Sequence, residues 1–472
     1  MQIDSCAEFI IDKLNENGFK AYCVGGCVRD QLLGRKVHDW DICTSALPDE
    51  VFEIFEDLGL TVIVTGARYG TVSILMSHCD IDLINQTDTA YNINDMDLNL
   101  YEVTTFRKES GGRKMDSVEF TDSLELDLMR RDFTINAMAF HPKEGMIDIV
   151  GGADDLANKL IRCIGDPERR FSEDYIRILR AVRFQAQLGF DIEQNTTDWA
   201  NKLIKQVNCA SPERIHAEFN KIVSGEYAKL ALIRNKEIIA ELFPELGECM
   251  GFDQNNPNHN YDIYEHSVKA LDILSNQGFD DNNLRVAALF HDIGKPSTAR
   301  IGQDGFTHFH GHSKVGALLS EKILRRLNFS SSDIKEISYL VMYHDFLPEK
   351  KSSVKKLVNR IGKDTTTKLI MLRHCDILAQ SGFNIEIKLK YLRHFRDWFD
   401  EINEKDEAFQ ISDLDISGRD LIQMGYVPGL KFKMILNTLL ALVLEEEISN
   451  TRDELVEYIK EHFPLVENVE TV

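Results

Sequence analysis

The sequence predicts an α+β fold, in which a mixed β-sheet with helices is followed by an elongated, all-α remainder. Up to about residue 142, short apolar and β-branched runs alternate with helical segments. After Gly151-Gly152, apolar residues recur at helical spacing, for example at Ile176, Leu179 and Val182. A chain of 472 residues exceeds what one hydrophobic core supports, so several domains are expected.

Individual elements follow from local patterns. The predicted strands are residues 21–24, 40–43, 61–64, 70–76, 101–105 and 137–140. A proline followed by two acids predicts a helix that opens at Pro48. The main later helices are predicted at residues 174–187, 212–223, 264–274, 284–291, 314–327, 334–344, 364–379, 387–402 and 432–446. With linkers near 249–260 and 403–410, the pattern divides the chain into residues 1–142, 143–248, 249–400 and 401–472.

Composition and charge predict an ordinary globular protein of the cytoplasm. Apolar residues make up 43% of the chain, and no apolar run is long enough to cross a membrane. We find no secretion signal and no Cys-x-x-Cys pair among the nine cysteines, so reduced thiols are expected. A net charge of −23 argues against nucleic-acid binding as a global average, yet residues 159–183 and 350–363 are locally basic. Nothing in the sequence indicates an oligomeric state.

The most informative stretch is Gly25-Gly26-Cys27-Val28-Arg29-Asp30, which follows an apolar strand and precedes Asp39-Trp40-Asp41. Paired glycines let a backbone approach a phosphate closely. Asp39 and Asp41 lie at i and i+2 of a predicted strand, so both carboxylates point to one face. Mg²⁺ takes one or two carboxylates together with substrate phosphates, so the pattern predicts two-metal phosphoryl or nucleotidyl transfer. A tight turn with surface acids is the alternative.

Two further groups extend this candidate site. Glu102 lies in a β-branched run and, on an adjacent strand, would stand beside the two aspartates as a third carboxylate. Arg130-Arg131 would clamp a triphosphate bidentately, with Asp132 or Asn136 on the ribose. An exposed strand residue and a charged helix start are the respective alternatives.

Asp174 and Arg177 carry a prediction about base recognition. An aspartate accepts hydrogen bonds and an arginine donates them. Cytosine and adenine each present an amino donor beside a ring-nitrogen acceptor, whereas guanine and uracil present the reverse. One fixed Asp/Arg pair would therefore accept C and A while rejecting G and U. An ion pair between the two residues, one helical turn apart, is the alternative.

Over about its first 225 residues the chain resembles the class II tRNA nucleotidyltransferases, which are the CCA-adding enzymes and their relatives the bacterial poly(A) polymerases. The motifs that carry the resemblance are Gly25-Gly26-x-Val28-Arg29-Asp30, Asp39-x-Asp41, Glu102-Val103-Thr104-Thr105-x-Arg107, Arg130-Arg131-Asp132-Phe133-Thr134-Ile135-Asn136-Ala137, Asp148-x-x-Gly151-Gly152-x-x-Asp155-Leu156, Glu173-Asp174-x-x-Arg177-x-x-Arg180-x-x-Arg183 and Glu213-Arg214-Ile215. The resemblance implies a catalytic palm at residues 1–142, a base-selecting neck at 143–248 and a helical tRNA-binding tail at 401–472.

The resemblance also implies a role for the residues of each motif. Asp39 and Asp41 would bind Mg²⁺, with Glu102 as a third catalytic carboxylate. The implied nucleotide-binding residues are Gly26, Arg29, Arg131, Asp174, Arg177, Arg180 and Arg183. In the implied reaction a tRNA 3′ hydroxyl attacks the α-phosphate of CTP or ATP and pyrophosphate leaves, without a nucleic-acid template.

One departure from the family bears on the product. Between Phe106-Arg107 and Val118, the chain has a short loop with two glycines, where CCA-adding relatives usually carry a longer one with an aromatic residue and Arg-Arg-Pro. In the family that loop is associated with the switch from C to A addition. CC-only, A-only and poly(A) addition therefore stay open as alternatives to CCA addition.

A second constellation begins at His291-Asp292-Ile293-Gly294-Lys295. With His266 before it and His312, His344 and Asp376 after it, the set resembles an HD-type phosphohydrolase domain at residues 249–400. The resemblance implies a second divalent metal (Mg, Mn or Ni), with His266, His291, Asp292 and Asp376 as candidate ligands. Metal-dependent hydrolysis of a phosphoester, such as a 2′,3′-cyclic phosphodiester, is a further activity or an alternative function, and a purely helical scaffold is the other interpretation.

Overall fold

The computed structural model describes residues 1, 3–37, 39–77, 80–81, 98–108, 118–255, 261–380, 384–404 and 410–465. Its contacts divide the chain into two units, Met1–Ala231 and Leu232–Val472. The first unit contains a seven-stranded sheet with helices, and the described part of the second is predominantly helical. The predicted fold class, a mixed sheet followed by a helical remainder, is confirmed.

The sheet is built from strands of the first 150 residues. The strands described there are β1 Ala21–Val24, β2 Asp41–Thr44, β3 Thr61–Ile63, β4 Thr71–Met76, β5 Asn99–Thr105, β6 Arg107–Lys108, β7 Glu119–Phe120, β8 Met138–His141 and β9 Gly145–Asp148. Seven of them form one sheet in the order β3-β4-β5-β2-β1-β8-β9, while β6 and β7 pair separately. Within the sheet β2 and β5 are parallel, and the other neighbours are antiparallel. The first residues of β2 and the middle of β5 therefore meet in register.

All six predicted strands form strands of this sheet, with ends displaced by at most two residues. Burial explains the sequence pattern: β1 is buried at all four positions, and β4 buries Val72, Ile74 and Met76 in alternation. The sequence does not predict β9, because Gly145-Met146-Ile147-Asp148 is short and half polar and does not stand out as an apolar run.

The first unit also holds helices around the sheet and after it. They are Ser5–Glu16, Gly26–Leu32, Pro48–Asp57, Leu124–Met129, Gly152–Ala157, Pro167–Glu173, Ile176–Leu188, Gln194–Leu203 and Pro212–Val223, and Ala228–Arg234 runs on into the second unit. Pro48 begins its helix as predicted, and Leu47 N–H donates to Glu50 Oε2 at 2.6 Å. The helix predicted at 174–187 begins only at Ile176, because the backbone of Asp174 is extended, with φ −154° and ψ 103°.

The described part of the second unit contains thirteen further helices. They are Lys236–Leu242, Pro244–Gly247, Ile263–Asn276, Asn282–Phe290, Lys295–Thr298, His312–Arg326, Ser331–Tyr343, Lys351–Ile361, Lys363–Ala379, Ile385–Glu404, Gly418–Gln423, Leu430–Leu444 and Arg452–His462. Each helix predicted here forms, with ends displaced by at most three residues. The helical remainder predicted after Gly152 also contains two short strand pairs, Leu160–Ile161 with Asp191–Ile192 and Arg300–Ile301 with Thr307–His308.

The last segment of the second unit has a hydrophobic core of its own. Leu421, Ile435, Leu439, Leu455 and Ile459 are completely buried there, against one another and further apolar side chains of the same segment. None of the helices in the described ranges combines the length and the apolar character that a membrane span requires.

Candidate active site

A cleft of about 710 Å³ in the first unit brings together the residues that the sequence predicts to bind nucleotide and metal. Its walls come from the turn after β1, from β2 and β5, and from the helices that follow the sheet. The predicted residues found in its lining are Gly26, Arg29, Asp39, Asp41, Glu102, Arg131, Asp174, Arg177, Arg180 and Arg183.

Three carboxylates stand where the sheet borders this cleft. Asp41 is the first residue of β2 and the register partner of Glu102 on the parallel β5, while Asp39 lies just before β2 and is exposed. Burial, together with the charges of Glu102 and Asp39, raises the pKa of Asp41 to about 6. A divalent cation among these oxygens would relieve that repulsion, and carboxylate oxygens are donors that Mg²⁺ takes. The residues present therefore fit a divalent cation.

Gly25 and Gly26 turn the chain from β1 into the helix Gly26–Leu32. Gly25 has a φ of 81°, which strains any side chain, and a Cβ there would lie 3.2 Å from Arg131 Nη1. Arg29 is buried, donating to Asn136 Oδ1 at 2.7 Å and, through Nε and Nη2, to the two carboxylate oxygens of Asp30 at 2.8 and 2.9 Å. The turn therefore lies against guanidinium groups that are already held in place.

A buried network holds the Arg130-Arg131-Asp132 run. Asp127, which the sequence does not single out, accepts from Arg130 at 2.6 Å and from Arg131 at 2.9 Å. Asp132 Oδ2 accepts from Arg180 Nε at 2.6 Å. Burial alone would raise the pKa of Asp132, but the Arg180 guanidinium outweighs burial and lowers this pKa to about 2. Asp132 is thus ionised and engaged by Arg180, so the predicted ribose contact would have to be made beside that arginine.

Asp174 and Arg177 line the same cleft but do not pair with each other. Arg214 donates to both oxygens of Asp174, at 3.1 and 2.6 Å. Arg177 donates from Nη1 to Glu173 Oε2 at 2.7 Å and from Nη2 to the Arg130 carbonyl at 3.1 Å. The alternative interpretation, an ion pair between Asp174 and Arg177 within one helix, is therefore wrong. Asp174 precedes the helix on which Arg177 lies, and each side chain is bound by other residues.

Phe184 is a residue of this site that the sequence does not predict. The guanidinium carbon of Arg183 lies 4.2 Å from its ring centre, and those of Arg29 and Arg180 lie at 5.3 and 5.5 Å. Arg183 also donates to Glu218 at 3.1 Å, and burial and the neighbouring Arg180 lower the pKa of Arg183 to about 10. In the sequence Phe184 is indistinguishable from the apolar stripe of its helix, so only the three-dimensional position identifies it.

The cleft is basic although the chain is acidic. Ten basic and six acidic side chains line it among the described residues, in a chain whose net charge is −23. Lys36 and Lys221 contribute to this surplus without belonging to a motif that the sequence singles out. A local excess of positive charge is what a triphosphate requires.

Three of the six basic residues at 350–363 form ion pairs with acids from elsewhere in the second unit. Lys351 lies 3.0 Å from Glu401, Lys355 lies 2.7 Å from Glu446, and Lys356 forms an ion pair with Glu445. The sequence shows a run without acids, but the fold supplies them from distant positions. The stretch is therefore a weaker candidate for binding phosphates than its composition suggests.

A separate buried cluster in the second unit contains all four predicted metal ligands. His266 Nε2 lies 3.0 Å from Asp376 Oδ1 and 3.2 Å from His291 Nε2, which in turn lies 3.2 Å from Asp292 Oδ2. The ligand atoms of His266, His291 and Asp376 all lie within 4.8 Å of one another. His312 and His344 border the same cluster.

The chemistry of these donors fits a divalent cation. His291 Nδ1 lies 2.8 Å from the Ala288 carbonyl, an arrangement that leaves Nε2 as the ligand atom. Burial alone would raise the pKa of Asp292, but His291 and Lys295 outweigh burial and hold this pKa well below its usual value. Ionised carboxylates and imidazole nitrogens at one point are a donor set for divalent transition metals.

Three family models match the chain in succession. The poly(A) polymerase head domain matches residues 21–162, the "Probable RNA and SrmB- binding site of polymerase A" matches residues 189–250, and the HD domain matches residues 263–381. The poly(A) polymerase head domain covers the sheet and the three carboxylates Asp39, Asp41 and Glu102, which we call the acidic trio. The HD domain covers the buried cluster around His291, which we call the histidine cluster.

Relatives extend this finding. The CCA-adding enzyme of Leuconostoc citreum is 42% identical over 229 residues, which are 48% of this chain and 51% of that enzyme. Over these segments the chain is similar to CCA-adding enzymes and poly(A) polymerases. Another CCA-adding enzyme, from Leuconostoc mesenteroides, is 40% identical over 286 residues, which are 59% of this chain and 65% of that one. The chain spans about half the length of the first relative and less than two thirds of the second.

A solved structure resembles the chain over almost its whole length. The structure of the Bacillus stearothermophilus CCA-adding enzyme in complex with CTP aligns with a TM-score of 0.69 and 26% identity, covering 96% of each chain. The chain is thus similar in fold to that CCA-adding enzyme.

Proposed function

We propose that this chain is a template-independent tRNA nucleotidyltransferase that adds CCA to tRNA 3′ ends from CTP and ATP, using Mg²⁺. One observation carries the proposal: a single basic cleft contains the acidic trio together with Asp174 and Arg177. The names of the relatives and the similarity to a CTP-bound CCA-adding enzyme support it. We place the protein in the cytoplasm with tRNA as its macromolecular partner.

Asp39 and Asp41 would hold the cations of the palm. Bound there, divalent cations neutralise the triphosphate charge and lower the barrier to in-line displacement at phosphorus. The protein contributes a group of negative charges, and burial together with the charge of Glu102 raises the pKa of Asp41 there. In the reaction the bond from the tRNA 3′ oxygen to the α-phosphorus forms and the bond to pyrophosphate breaks. Glu102 lies in register with Asp41, where a third carboxylate can accept the proton of the attacking hydroxyl.

The arginines of the cleft would bind the triphosphate. Arg131 lies beside the Gly25 turn, where the absent side chain leaves room for a phosphate close to the backbone. Its second guanidinium nitrogen is held by Asp127 at 2.9 Å, so the group is oriented before the nucleotide arrives. Arg29 and Arg180 are oriented in the same way by Asp30 and Asp132. Such preorganisation reduces the entropy lost on binding.

Base selection would fall to Asp174 and Arg177, with Arg214 as the residue that positions Asp174. The bidentate contact from Arg214 restricts the direction in which the Asp174 carboxylate faces. Arg177 is oriented by Glu173 and by the Arg130 carbonyl. An incoming base would share or exchange these contacts, and a base with the wrong donor and acceptor pattern would leave buried polar groups unpaired.

The length of the product depends on a part of the chain that lies outside the described residues. The loop that distinguishes CCA addition from CC-only addition falls on residues 109–117. CCA addition is therefore proposed from the cleft and the relatives. CC-only, A-only and poly(A) addition are the alternative products that an assay would distinguish. We retain the palm, neck, HD-type and tail segments at residues 1–142, 143–248, 249–400 and 401–472 as a proposal as well.

The test is nucleotide incorporation into a tRNA that lacks its 3′ end. The chain should incorporate labelled CTP and ATP, and Asp39→Ala with Asp41→Ala should reduce incorporation below detection. Glu53→Ala with Glu56→Ala is the matched control, because it removes two exposed carboxylates from a helix outside the cleft. Equal loss in both double variants, or no incorporation by the unmodified chain, would overturn the proposal.

The histidine cluster favours a second function, metal-dependent hydrolysis of a phosphoester. Its buried imidazole and carboxylate donors converge within 4.8 Å, which a helical scaffold does not require. The palm variant Asp39→Ala with Asp41→Ala should retain hydrolysis of a 2′,3′-cyclic phosphodiester, whereas His291→Ala should lose it and keep incorporation. Loss of incorporation in a folded His291→Ala protein would instead favour the scaffold interpretation.

A further inference from the structure

Arg107 differs from the other arginines that line the cleft of the first unit. Each of the others forms an ion pair with a carboxylate at 3.1 Å or less, and these pairs are Arg29–Asp30, Arg130–Asp127, Arg131–Asp127, Arg177–Glu173, Arg180–Asp132, Arg183–Glu218 and Arg214–Asp174. Arg107 lines the same cleft but forms no ion pair with any carboxylate of the described residues. Its positive charge is therefore not neutralised within the part of the chain that the structure describes.

Much of the hydrogen-bonding capacity of Arg107 is also unused. Nη1 donates to the Tyr69 carbonyl at 3.0 Å, whereas Nε is buried and has no acceptor among the described residues. Burial and the charge of Arg130 lower the pKa of Arg107 to about 10, and a guanidinium with this pKa is still cationic at neutral pH. A buried N–H group without an acceptor costs free energy, so an anion that supplies the acceptor is favoured at this position.

Two hydroxyl groups line the cleft on the strands that lead to Arg107. Thr71 begins β4 and is the register partner of Thr104, which lies two residues after Glu102 on β5. Their Oγ1 atoms are 3.1 Å apart, so one hydroxyl donates to the other. The hydrogen of the accepting hydroxyl then has no acceptor among the described residues and is free to donate to a ligand. Because Tyr69 immediately precedes β4, its contact with Arg107 brings the guanidinium to the same end of these strands.

We propose that Arg107, together with the hydroxyl pair of Thr71 and Thr104, binds a phosphate group of a substrate. An ionised phosphate presents several acceptor oxygens, and a guanidinium can engage two of them at once. Alternate residues of a strand lie on one face about 7 Å apart, so Thr104 follows Glu102 along the cleft at that distance. The bound phosphate would therefore be a neighbour of the reacting phosphate rather than the reacting phosphate itself.

The inference rests on the function proposed for the first unit, because that reaction brings two kinds of phosphate into the cleft. One is the triphosphate of the incoming nucleotide, and the other is the last diester of the RNA strand that carries the 3′ hydroxyl. Both present the same ionised oxygens to Arg107. The experiment therefore has one arm for each source.

Equilibrium binding to the full chain tests the proposal without turnover. CTP and CMP are titrated against Arg107→Gln in the presence of Mg²⁺, and a tRNA that lacks its 3′ end is titrated at several salt concentrations. If the phosphate belongs to the nucleotide, the Kd for CTP should rise about tenfold while that for CMP stays unchanged. If it belongs to the RNA, the slope of log K against log salt should fall in magnitude by about one while the Kd for CTP stays unchanged.

A neighbouring arginine supplies the matched control. Arg68 is exposed and lies outside the cleft, so Arg68→Gln should change neither quantity. Unchanged CTP affinity together with an unchanged salt slope in a folded Arg107→Gln protein would overturn the proposal. An equal loss in Arg68→Gln, or an equal loss of CMP and CTP affinity in Arg107→Gln, would overturn it as well.

The threonine pair keeps the proposal testable if Arg107→Gln does not fold. Thr71→Val with Thr104→Val removes both hydroxyls at nearly constant shape and should weaken the same interaction about threefold. Thr61→Val with Thr65→Val, at exposed positions outside the cleft, should have no effect. No change in the first pair, or an equal change in the second, would overturn the proposal.

This inference and the proposed function fail separately. A chain that binds CTP through Arg107 but does not extend tRNA would support the phosphate subsite and contradict tRNA tailing. A chain that extends tRNA while its binding of CTP and of tRNA is independent of Arg107 would support tailing and overturn the subsite.

Discussion

Arg214 holds both carboxylate oxygens of Asp174, with Nη1 3.1 Å from Oδ1 and Nη2 2.6 Å from Oδ2. The two residues come from different helical segments, since Asp174 follows Pro167–Glu173 and Arg214 lies on Pro212–Val223. A planar guanidinium that grips a carboxylate through two parallel bonds sets its orientation as well as its charge. The residue proposed to read the base is therefore aimed by an arginine 40 positions away.

Replacing this arginine should damage base selection more than catalysis. We expect Arg214→Lys to lower the preference for CTP over UTP about tenfold, because lysine cannot make the bidentate contact, at a cost of about 1.4 kcal/mol. The measurement is kcat/KM for each nucleotide on a tRNA without its 3′ end. Arg234→Lys, the same change at an exposed position outside the cleft, is the control. An unchanged CTP-to-UTP ratio would contradict the role given to Arg214.

The place of Glu102 in the acidic trio predicts that Glu102→Gln weakens metal binding and nucleotide incorporation. Glu102 adds negative potential beside Asp41, as the raised pKa of that carboxyl records. Removing its charge should weaken Mn²⁺ binding by the palm about 10- to 100-fold and lower incorporation correspondingly. Calorimetric titration on a chain with His291→Ala keeps the histidine cluster from dominating the signal. Glu119→Gln, on the exposed end of β7, should change neither quantity, and an equal effect there would contradict the assignment.

The buried Asp132–Arg180 pair predicts a pH-dependent stability. The folded pKa of Asp132, about 2, lies below its ordinary value of 3.8, so ionised Asp132 stabilises the fold above pH 3.8 and this contribution is lost as pH falls towards 2. Asp132→Asn should therefore lower the free energy of unfolding by about 2 kcal/mol at pH 7, and by progressively less below pH 4. Urea unfolding at several pH values measures this. A difference that is the same at pH 7 and pH 3 would contradict it.

The lysines of residues 350–363 should contribute little to tRNA binding. Lys355 and Lys356 are paired with Glu446 and Glu445, so replacing both by glutamine removes ion pairs within the protein. We expect the slope of log K against log salt for tRNA to stay unchanged. If both contacted phosphates, the slope would fall by about two. That result, from binding measured between low and moderate salt, would restore the basic stretch as an RNA surface.

Patterns local in sequence predicted most of the fold. The apolar strand 21–24, buried at all four positions, and the helix 212–223, with Pro212 at its start, both form where predicted. Asp174 was harder to place, because its backbone is extended between two helices and the arginine that contacts it lies 40 positions away. The resemblance and the fold class are confirmed, whereas the individual site residues stay predictions that the geometry supports.

Contacts between distant positions explain what the sequence could not show. Asp127 organises Arg130 and Arg131 but looks like an ordinary acid of a short helix. Glu445 and Glu446 neutralise lysines some 90 residues earlier, which no composition window reveals. His312 and His344 could be grouped with the histidine cluster by resemblance, but their position beside Asp292 is visible only in three dimensions.

The most direct test of the central claim is the sequence of the product formed on a tRNA that ends before its CCA. We expect two added cytidines with CTP alone, and CCA with no further nucleotide when CTP and ATP are both present. The same reactions with Asp39→Ala and Asp41→Ala should leave the tRNA unextended. A tRNA left unextended by the unmodified chain, or one extended with uridine or guanosine as readily as with cytidine, would contradict the proposed CCA addition.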